Sequence, residues 1–234
     1  MQFILISLCL ISIVGCAQKQ NVNLDSQFWH QSKQKISVGR TKPTTPRVSA
    51  RGAQGILDFA INEGMNNKLN QHLEKTDMSW YSNLQGSFVQ KLQQRRMDAK
   101  NSSQLINIDN LPTLHQNGDE YADHNYTGFT RQISADKLLL IKISGVGVVR
   151  HYYGFIPLDE PKAYCTLSGE LIDVNNNHVL WRHKTEVALP IDGKWDEAPN
   201  FPNISRAVKN ATITAQQDML DSFFNNVSEQ KHTT

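Results

Sequence analysis

Two segments with alternating apolar residues, joined by three asparagines, constrain the fold of this 234-residue chain most strongly. In residues 163–174 and 179–189 apolar side chains alternate with polar ones, which is the period of a strand with one buried face. Asn175-Asn176-Asn177 joins the two segments, and asparagine tolerates the positive φ that a tight turn requires. We therefore expect an antiparallel β-hairpin, with one face made by Ala163, Cys165, Leu167, Leu171, Val179, Trp181, Val187 and Leu189.

The rest of the chain supplies helices and further strands. Helical spacing of apolar residues predicts three helices, one over 55–75, one after Asp77 and one after Asn203. The apolar run 138–141 predicts a central strand within 137–149, and the glycines Gly145 and Gly147 in it indicate a bulge or a close contact. Shorter strands are expected at 36–38 and 104–109, a proline-containing loop up to residue 54, and an exposed acidic loop over 113–132.

This order of elements predicts an α+β fold, a single domain in which helices pack against a mixed, mainly antiparallel sheet. Over about 36–226 the order broadly resembles periplasmic lipoprotein domains of the penicillin-binding-protein activator and curli-secretion types. The resemblance concerns architecture, and no functional residue can be carried over from it.

The first residues have a different character. Residues 3–14 form the longest apolar run, too short for a membrane-spanning helix of about 20 residues but of the length found in a secretory signal. Ile13-Val14-Gly15-Cys16 follows directly, and it resembles the lipobox of bacterial lipoproteins, in which a small residue precedes the cysteine. The resemblance implies cleavage before Cys16 and acylation of its sulfur and its new amine.

Lipidation defines the expected organisation of the chain. Residues 1–15 would be a signal peptide, 16–34 a lipidated N-terminus and flexible tether, 35–226 the domain, and 227–234 a frayed tail. Several acyl chains on one residue anchor a protein stably in a bilayer, whereas one chain binds weakly. Ala17, where some lipoproteins carry an aspartate that retains them in the inner membrane, favours the periplasmic face of the outer membrane.

Two alternatives stay open for this N-terminus. A signal peptide cleaved at an ordinary site would leave Cys16 able to pair with Cys165, whereas lipidation leaves Cys165 alone and expected to be a buried thiol. The other alternative is secretion from a eukaryotic cell. Five asparagines begin the N-x-S/T triplets at which N-glycosylation occurs, although such triplets also arise by chance. They are Asn101, Asn125, Asn203, Asn210 and Asn226.

Composition and motifs argue against several classes of function. A net charge of +2, from 24 basic and 22 acidic residues, provides no polyanion-binding surface, so nucleic acid is not an expected partner. We find no catalytic motif and expect no cofactor. The polar residues His115, Asp119, Glu120, Asp123 and His124 lack the spacing of a known metal site, so no metal is expected either.

One aromatic region is the candidate binding site. Interaction hot spots are rich in exposed aromatic and arginine side chains. In a meander, the connection around 150–162 and the loop 190–200 would lie at the same end of the sheet. We therefore expect a non-enzymatic binding or assembly factor of the cell envelope, with an envelope hydrolase as the alternative; nothing specifies an oligomeric state, and the aromatics have a second interpretation as core. The candidate residues are Arg150, Tyr152, Tyr153, Phe155 and Trp195.

Overall fold

A mixed seven-stranded sheet organises the chain in a computed structural model that describes residues 19–30, 34–114, 118–129 and 133–225. The proposed signal segment, Cys16 and the tail 227–234 lie outside the described residues. The strands are β1 (Lys35–Arg40), β2 (Arg47–Ala53), β3 (Asp98–Asn101), β4 (Lys137–Tyr153), β5 (Ile156–Pro157), β6 (Lys162–Asp173) and β7 (Val179–Pro190). The helices are α1 (Ile56–Leu73), α2 (Ser79–Gln94) and α3 (Pro202–Phe224).

Strand β4 is the axis of the sheet. On one side it pairs in parallel with β1 over its first part and with β2 over its last part, and β3 continues the sheet beyond β1. On the other side it pairs antiparallel with β6, which pairs antiparallel with β7. The short β5 folds back on the end of β4. The α+β class and the mixed sheet are therefore confirmed.

The hairpin predicted from the alternating segments is β6–β7, and Asn177 at its turn has a φ of 62°. One detail of the prediction is wrong. A bulge between Leu171 and Ile172 changes the register with β7, so Val179 packs into the core on the opposite face of the sheet from Trp181. The alternation of residues along the sequence does not reveal such an insertion.

The two glycines of β4 act as the sequence suggests. The pairing with β6 shifts between Ile143 and Gly145, which is the bulge. Gly147 has a φ of 134°, and a Cβ there would lie 2.2 Å from the carbonyl oxygen of Arg47 on β2. A side chain at this position would therefore prevent β2 from pairing with β4.

Helices α2 and α3 pack as predicted, with their apolar faces against one face of the sheet. We call this the first face and the opposite one the second face. In α3 every third or fourth residue is buried, which gives a continuous apolar stripe. The buried apolar stripes include Tyr81, Leu84, Phe88, Val89 and Leu92 in α2, and Ile204, Val208, Ala211, Ala215, Met219 and Phe223 in α3. No helix in the described ranges is long and apolar enough to cross a membrane.

Two short strands differ from the sequence prediction. Residues 104–109, expected to be a strand, form a connection ending in a 3-10 turn, and β3 lies earlier in the chain. The proline-containing loop is confined to 41–46, and β2 follows it. Both β2 and β3 are short, polar edge strands with one buried apolar residue each, Val48 and Ala99, so they lack a period-2 signal.

The region between β3 and β4 covers the second face of the sheet. The exposed loop expected over 113–132 is therefore a wrong prediction for its central part, since Ala122 and Tyr126 are each 1% exposed. They pack with Ile106 and with the apolar residues that β4, β6 and β7 turn to this face. Burial raises the pKa of the Tyr126 hydroxyl.

An ion cluster ties this covering segment to the sheet. Glu170, 4% exposed, accepts from Arg182 Nε at 2.7 Å and from Lys142 Nζ at 3.1 Å. The same guanidinium donates to the carbonyl oxygens of Asp119 and Tyr121. Burial alone would raise the pKa of Glu170, but the two cations outweigh it and hold that pKa below its usual value.

Residues 19–30, assigned from sequence to a flexible tether, lie against the domain. We call this segment the N-terminal strap. Val22 exchanges two backbone hydrogen bonds with Arg182, while Leu24 and Phe28 are 1% and 4% exposed. Trp29 stacks on Phe224 at the end of α3. The polar composition concealed these buried anchors, and over this stretch the structure differs from the predicted free tether.

Candidate functional site

Helix α1 turns polar side chains toward the sheet and apolar side chains outward over its first half. The helix predicted over 55–75 is confirmed in its bounds, but its apolar stripe was expected to pack inward. Only Leu69 and Leu73, at its end, are buried apolar residues. Asn62 and Asn70 are 1% and 8% exposed.

Hydrogen bonds from an asparagine row attach α1 to the sheet. Asn62 Nδ2 donates to the carbonyl oxygen of Gly154 at 3.1 Å, and Asn66 Nδ2 lies 3.4 Å from the Tyr152 hydroxyl. Asn70 Oδ1 accepts from the backbone N–H of Val48 at 2.8 Å, at the edge of β2. Residues four apart share one side of a helix, so this row points inward and leaves the apolar flanks uncovered.

The uncovered side chains lie on α1 and on the hairpin tip that adjoins it, and we call them together the apolar site. Among the described residues, eleven large apolar side chains are exposed, and nine of them belong to α1, to the last residue of β4 or to the segment 154–158 that follows it. Single exposed apolar residues are ordinary, but a contiguous group marks an interaction surface. The apolar site consists of Ile56, Leu57, Phe59, Ile61, Met65, Tyr153, Phe155, Ile156 and Leu158.

The tip of the β4–β5 hairpin adjoins the first turns of α1. Gly154, with a φ of 60°, makes the turn and donates its N–H to the carbonyl oxygen of Ala53 at 2.9 Å. Beyond β5, the Asp159 carboxylate accepts from the backbone N–H and ring Nδ1 of His151, at 2.9 and 2.7 Å. The backbone hydrogen bond from His151 is the main cause that lowers the pKa of Asp159. These contacts fix the connection beside α1.

The structure separates the five candidate residues predicted from sequence. Tyr153 and Phe155 are exposed, at 68% and 54%, and belong to the apolar site. Tyr152 is 1% exposed, so its selection as a partner-binding residue is corrected: its ring is core, because alternation along β4 turns it inward. Arg150 and Trp195 are half-buried and stack on each other, with the guanidinium carbon 5.1 Å from the ring centroid.

That contact brings together the two loops expected at one end of the sheet, 150–160 and 190–200. Arg150 Nε also donates to the carbonyl oxygen of Asp159 at 3.0 Å. Asn203, in the first turn of α3, donates to the carbonyl oxygen of Lys194 at 2.9 Å and so holds the second loop. Arg150 and Trp195 therefore position this end of the molecule, beside the exposed aromatics.

Sequence reasoning missed the α1 half of the apolar site, although a signal was present. Apolar residues at 56, 57, 59, 60, 61 and 65 are too many and too widely distributed for one face of a helix. A helix that is apolar all round is covered on more than one side. Here the domain covers one side only, and in the first half of the helix the buried residue on that side is an asparagine.

A cleft of about 540 Å³ lies elsewhere, between the end of α1, the start of α2 and α3. Val208, Ile213 and Trp80 line it together with Lys75 and Lys209. At its wall His72 Nε2 lies 2.8 Å from Ser205 Oγ, a contact between residue types found in hydrolase sites. Ser205 Oγ, however, donates to the carbonyl oxygen of Phe201, as helical serines do.

The polar cluster weighed as a metal site is dispersed. Asp123 pairs with Lys19 at 2.9 Å, and Asp119 contributes a carbonyl oxygen to Arg182. His115 lies outside the described residues. Within the described ranges no three His, Cys, Asp or Glu side chains come together as metal ligands would. Cys165 is buried, and burial raises its thiol pKa to about 12.

Comparison with known proteins gives no family. No family model matches the sequence, and no curated protein matches it. Three solved structures have a loosely similar fold. Protein XCC0632 from Xanthomonas campestris, of family model DUF330, is 14% identical with a TM-score of 0.34 over 81% of this chain and 84% of its own.

The other two are a variant of the PelC dodecamer from Paraburkholderia phytofirmans and lipoprotein GNA1162 from Neisseria meningitidis. The PelC protein is 10% identical, with a TM-score of 0.38 over 87% of this chain and 93% of its own. The lipoprotein is 10% identical, with a TM-score of 0.34 over 83% of this chain and 99% of its own. Likeness at this level describes a fold, and we take no function from it.

Proposed function

We propose that this chain is a lipid-anchored bacterial envelope protein that binds a protein partner through the apolar site, as a non-enzymatic binding or assembly factor. The observation that carries the proposal is the inversion of α1, whose asparagines hold the sheet while five large apolar side chains face outward. Removing such a surface from water favours association by about 25 cal/mol for each Å² of apolar area buried.

The proposed lipid anchor is inferred from the sequence. The apolar run 3–14 followed by Ile13-Val14-Gly15-Cys16 has the order that a lipoprotein signal requires, and Ala17 favours the outer membrane. The domain needs no disulfide for this location, because Cys165 is buried on the helix side of β6, away from solvent. A periplasmic domain with one inert thiol suits an oxidising compartment.

The hydrolase alternative finds less support. Ser205 Oγ lies within hydrogen-bond distance of both His72 Nε2 and the helical carbonyl oxygen of Phe201, so this carbonyl competes with the imidazole for the one hydroxyl proton. Burial, followed by the charge of Lys75, lowers the pKa of His72. We therefore assign no catalytic role to the pair.

Two measurements on the full chain test the proposal. Metabolic labelling with a fatty acid should mark the wild-type protein and leave the Cys16→Ala variant unlabelled. Equal labelling of both proteins would contradict lipidation at Cys16. The binding role is tested by co-isolation from membranes, using a Leu57→Ser/Ile61→Ser double variant of α1. We expect the variant to fold and to lose the protein that co-isolates with the wild type, because both side chains are exposed, at 74% and 39%.

Leu105 provides the matched control for this experiment. Its side chain is 48% exposed and apolar, but it lies in the connection after β3 and outside the apolar site. Leu105→Ser should therefore retain the partner. Equal retention by the α1 double variant, or equal loss by Leu105→Ser, would contradict a binding role of the apolar site.

A further inference from the structure

The cleft between the end of α1, the start of α2 and α3 has the dimensions of a small-molecule site. Its volume of about 540 Å³ lies within the range of about 300–1,000 Å³ that is typical of ligand pockets. Ser205, Lys209, Ile213 and Gln216 line it from one side of α3, since residues three or four apart share a helix face. From Ser205 to Gln216 the helix rises about 16 Å, at about 1.5 Å for each residue. The cleft is therefore a groove suited to an extended molecule.

Part of the lining of this groove is apolar. Trp80 contributes from the start of α2, and Val208, which is 1% exposed, contributes from α3. Ile213 is 53% exposed and, with Leu105, is one of two large apolar side chains that are exposed outside the apolar site in the described ranges. An aliphatic chain in the groove would remove these surfaces from water, which favours binding.

The lining also carries positive charge. Lys75 and Lys209 contribute to it, and within the described part of the chain neither forms an ion pair. Asp77 is the acidic residue of the lining, and its two carboxylate oxygens accept from the N–H and the hydroxyl of Ser79, at 2.8 and 2.7 Å. The pKa of His72 is lowered by burial, so its imidazole adds no charge at neutral pH. The lining therefore favours a ligand with a negative group.

The positive charge is concentrated toward one end of the groove. A second cleft of about 450 Å³ adjoins the first, and His72 and Lys75 line both. Lys68, on the same side of α1 as these two residues, and Phe201, just before α3, line the second cleft. Ile213 lies about two turns of α3 beyond Ser205, which contacts His72. A negative group is thus favoured near the start of α3 and an apolar body farther along it.

We propose that this groove binds a linear carboxylate amphiphile of the fatty acid class, with its carboxylate beside Lys75 and Lys209. Its chain lies along α3 against Trp80 and Ile213. A compact anion without an apolar body would leave these two side chains in water, and a cationic amphiphile would face the lysines. The proposal is independent of the protein-binding role, because the groove shares no residue with the apolar site and lies at the other end of α1.

Photolabelling of the full chain in isolated membranes tests the proposal. The probe is dodecanoate with a diazirine at the end of its chain, and mass spectrometry identifies the peptides that carry the adduct. We expect adducts in the peptides that contain Trp80 or Ile213, and unlabelled dodecanoate should suppress them. Dodecylamine, with the same chain and the opposite charge, should compete about tenfold less well or worse, because it makes no charge-assisted contact with the lysines.

Variants at exposed positions locate the binding. Lys75→Gln/Lys209→Gln should reduce the adduct yield at subsaturating probe by about tenfold, whereas Lys100→Gln, at an exposed lysine of β3, should leave it unchanged. The Leu57→Ser/Ile61→Ser variant should also label as the wild type does.

Three results would overturn the proposal without bearing on the protein-binding role. They are the absence of an adduct that dodecanoate suppresses, equal competition by dodecylamine, and an unchanged yield in Lys75→Gln/Lys209→Gln. An adduct confined to the apolar site, and lost in Leu57→Ser/Ile61→Ser, would overturn it as well, because the amphiphile would then occupy that surface and not the groove.

Discussion

Glu170 shows how single residues hold the covering segment of this domain. Its carboxylate is nearly inaccessible and lies between Lys142 and Arg182, and Arg182 continues to the carbonyl oxygens of Asp119 and Tyr121. A buried ion pair of this kind contributes little compared with an apolar replacement of both partners, yet removal of one partner is costly. The cluster thus links the covering segment to the sheet through one buried carboxylate.

The free energy of unfolding at acid pH should depend on the charge of Glu170. Because the pKa of Glu170 is lowered in the folded state from its usual 4.5, its contribution is present above pH 4.5 and is lost as pH falls through the lowered value. Glu170→Gln should reduce the free energy of unfolding by about 3 kcal/mol at pH 7, since two cations lose their partner. Urea unfolding at pH 7 and at a series of lower values measures the difference.

The difference between wild type and Glu170→Gln should shrink as pH falls below 4.5. Glu186→Gln is the matched control, because Glu186 forms an exposed pair with Lys184 and its side chain is 57% exposed. Such surface pairs contribute about 0–1 kcal/mol. A small difference in the free energy of unfolding between wild type and Glu170→Gln at pH 7, or a difference that stays constant as pH falls, would refute the role of the Glu170 charge in stability.

At the scale of elements, α1 departs from the rule that its neighbours follow. Helices α2 and α3 bury apolar stripes on the first face of the sheet. In α1, by contrast, Asn62 bonds to the turn after β4, Asn66 lies against a β4 side chain, and Asn70 bonds to the backbone of β2. Hydrogen bonds from this row and the buried Leu69 and Leu73 hold the helix, while its exposed apolar side chains are left for the proposed association.

Two substitutions in α1 should separate these contributions. Asn70→Ala removes the acceptor for the N–H of Val48 and should reduce the free energy of unfolding by about 1–3 kcal/mol, the cost of an unsatisfied buried group. Leu57→Ser, at a side chain 74% exposed, should change it by no more than about 0.5 kcal/mol. Urea unfolding of each variant provides both values. A larger loss for Leu57→Ser than for Asn70→Ala would mean that the apolar flank belongs to the core.

Periodicity in the sequence predicts the elements that bury long apolar faces. The hairpin β6–β7, the central strand β4 and helices α2 and α3 follow from it, because their burial repeats at the period of the element. The same reasoning fails for β2 and β3, which each bury a single apolar residue, and for 104–109, where a polar connection imitates alternation. For α1 it predicts the bounds but not which side faces the sheet, because asparagines and not apolar residues make most of the inward contacts of this helix.

For the molecule as a whole, the structure separates the predicted binding residues into exposed and buried ones. Tyr153 and Phe155 are exposed as expected, and Arg150 meets Trp195 at the same end of the sheet. Tyr152 belongs to the core, and the five α1 side chains join the site only because the chain folds that end of α1 beside the hairpin tip. This adjacency connects residues about 90 positions apart and has no local sequence signal.

Site-specific photo-crosslinking in intact cells tests the apolar site most directly. A photoreactive phenylalanine analogue replaces Leu57 or Tyr153 in the site, or Leu105 as the exposed apolar control. We expect the same protein adduct from Leu57 and Tyr153 and no such adduct from Leu105. No protein adduct from the two site positions, or adducts of the same yield from all three, would contradict the account.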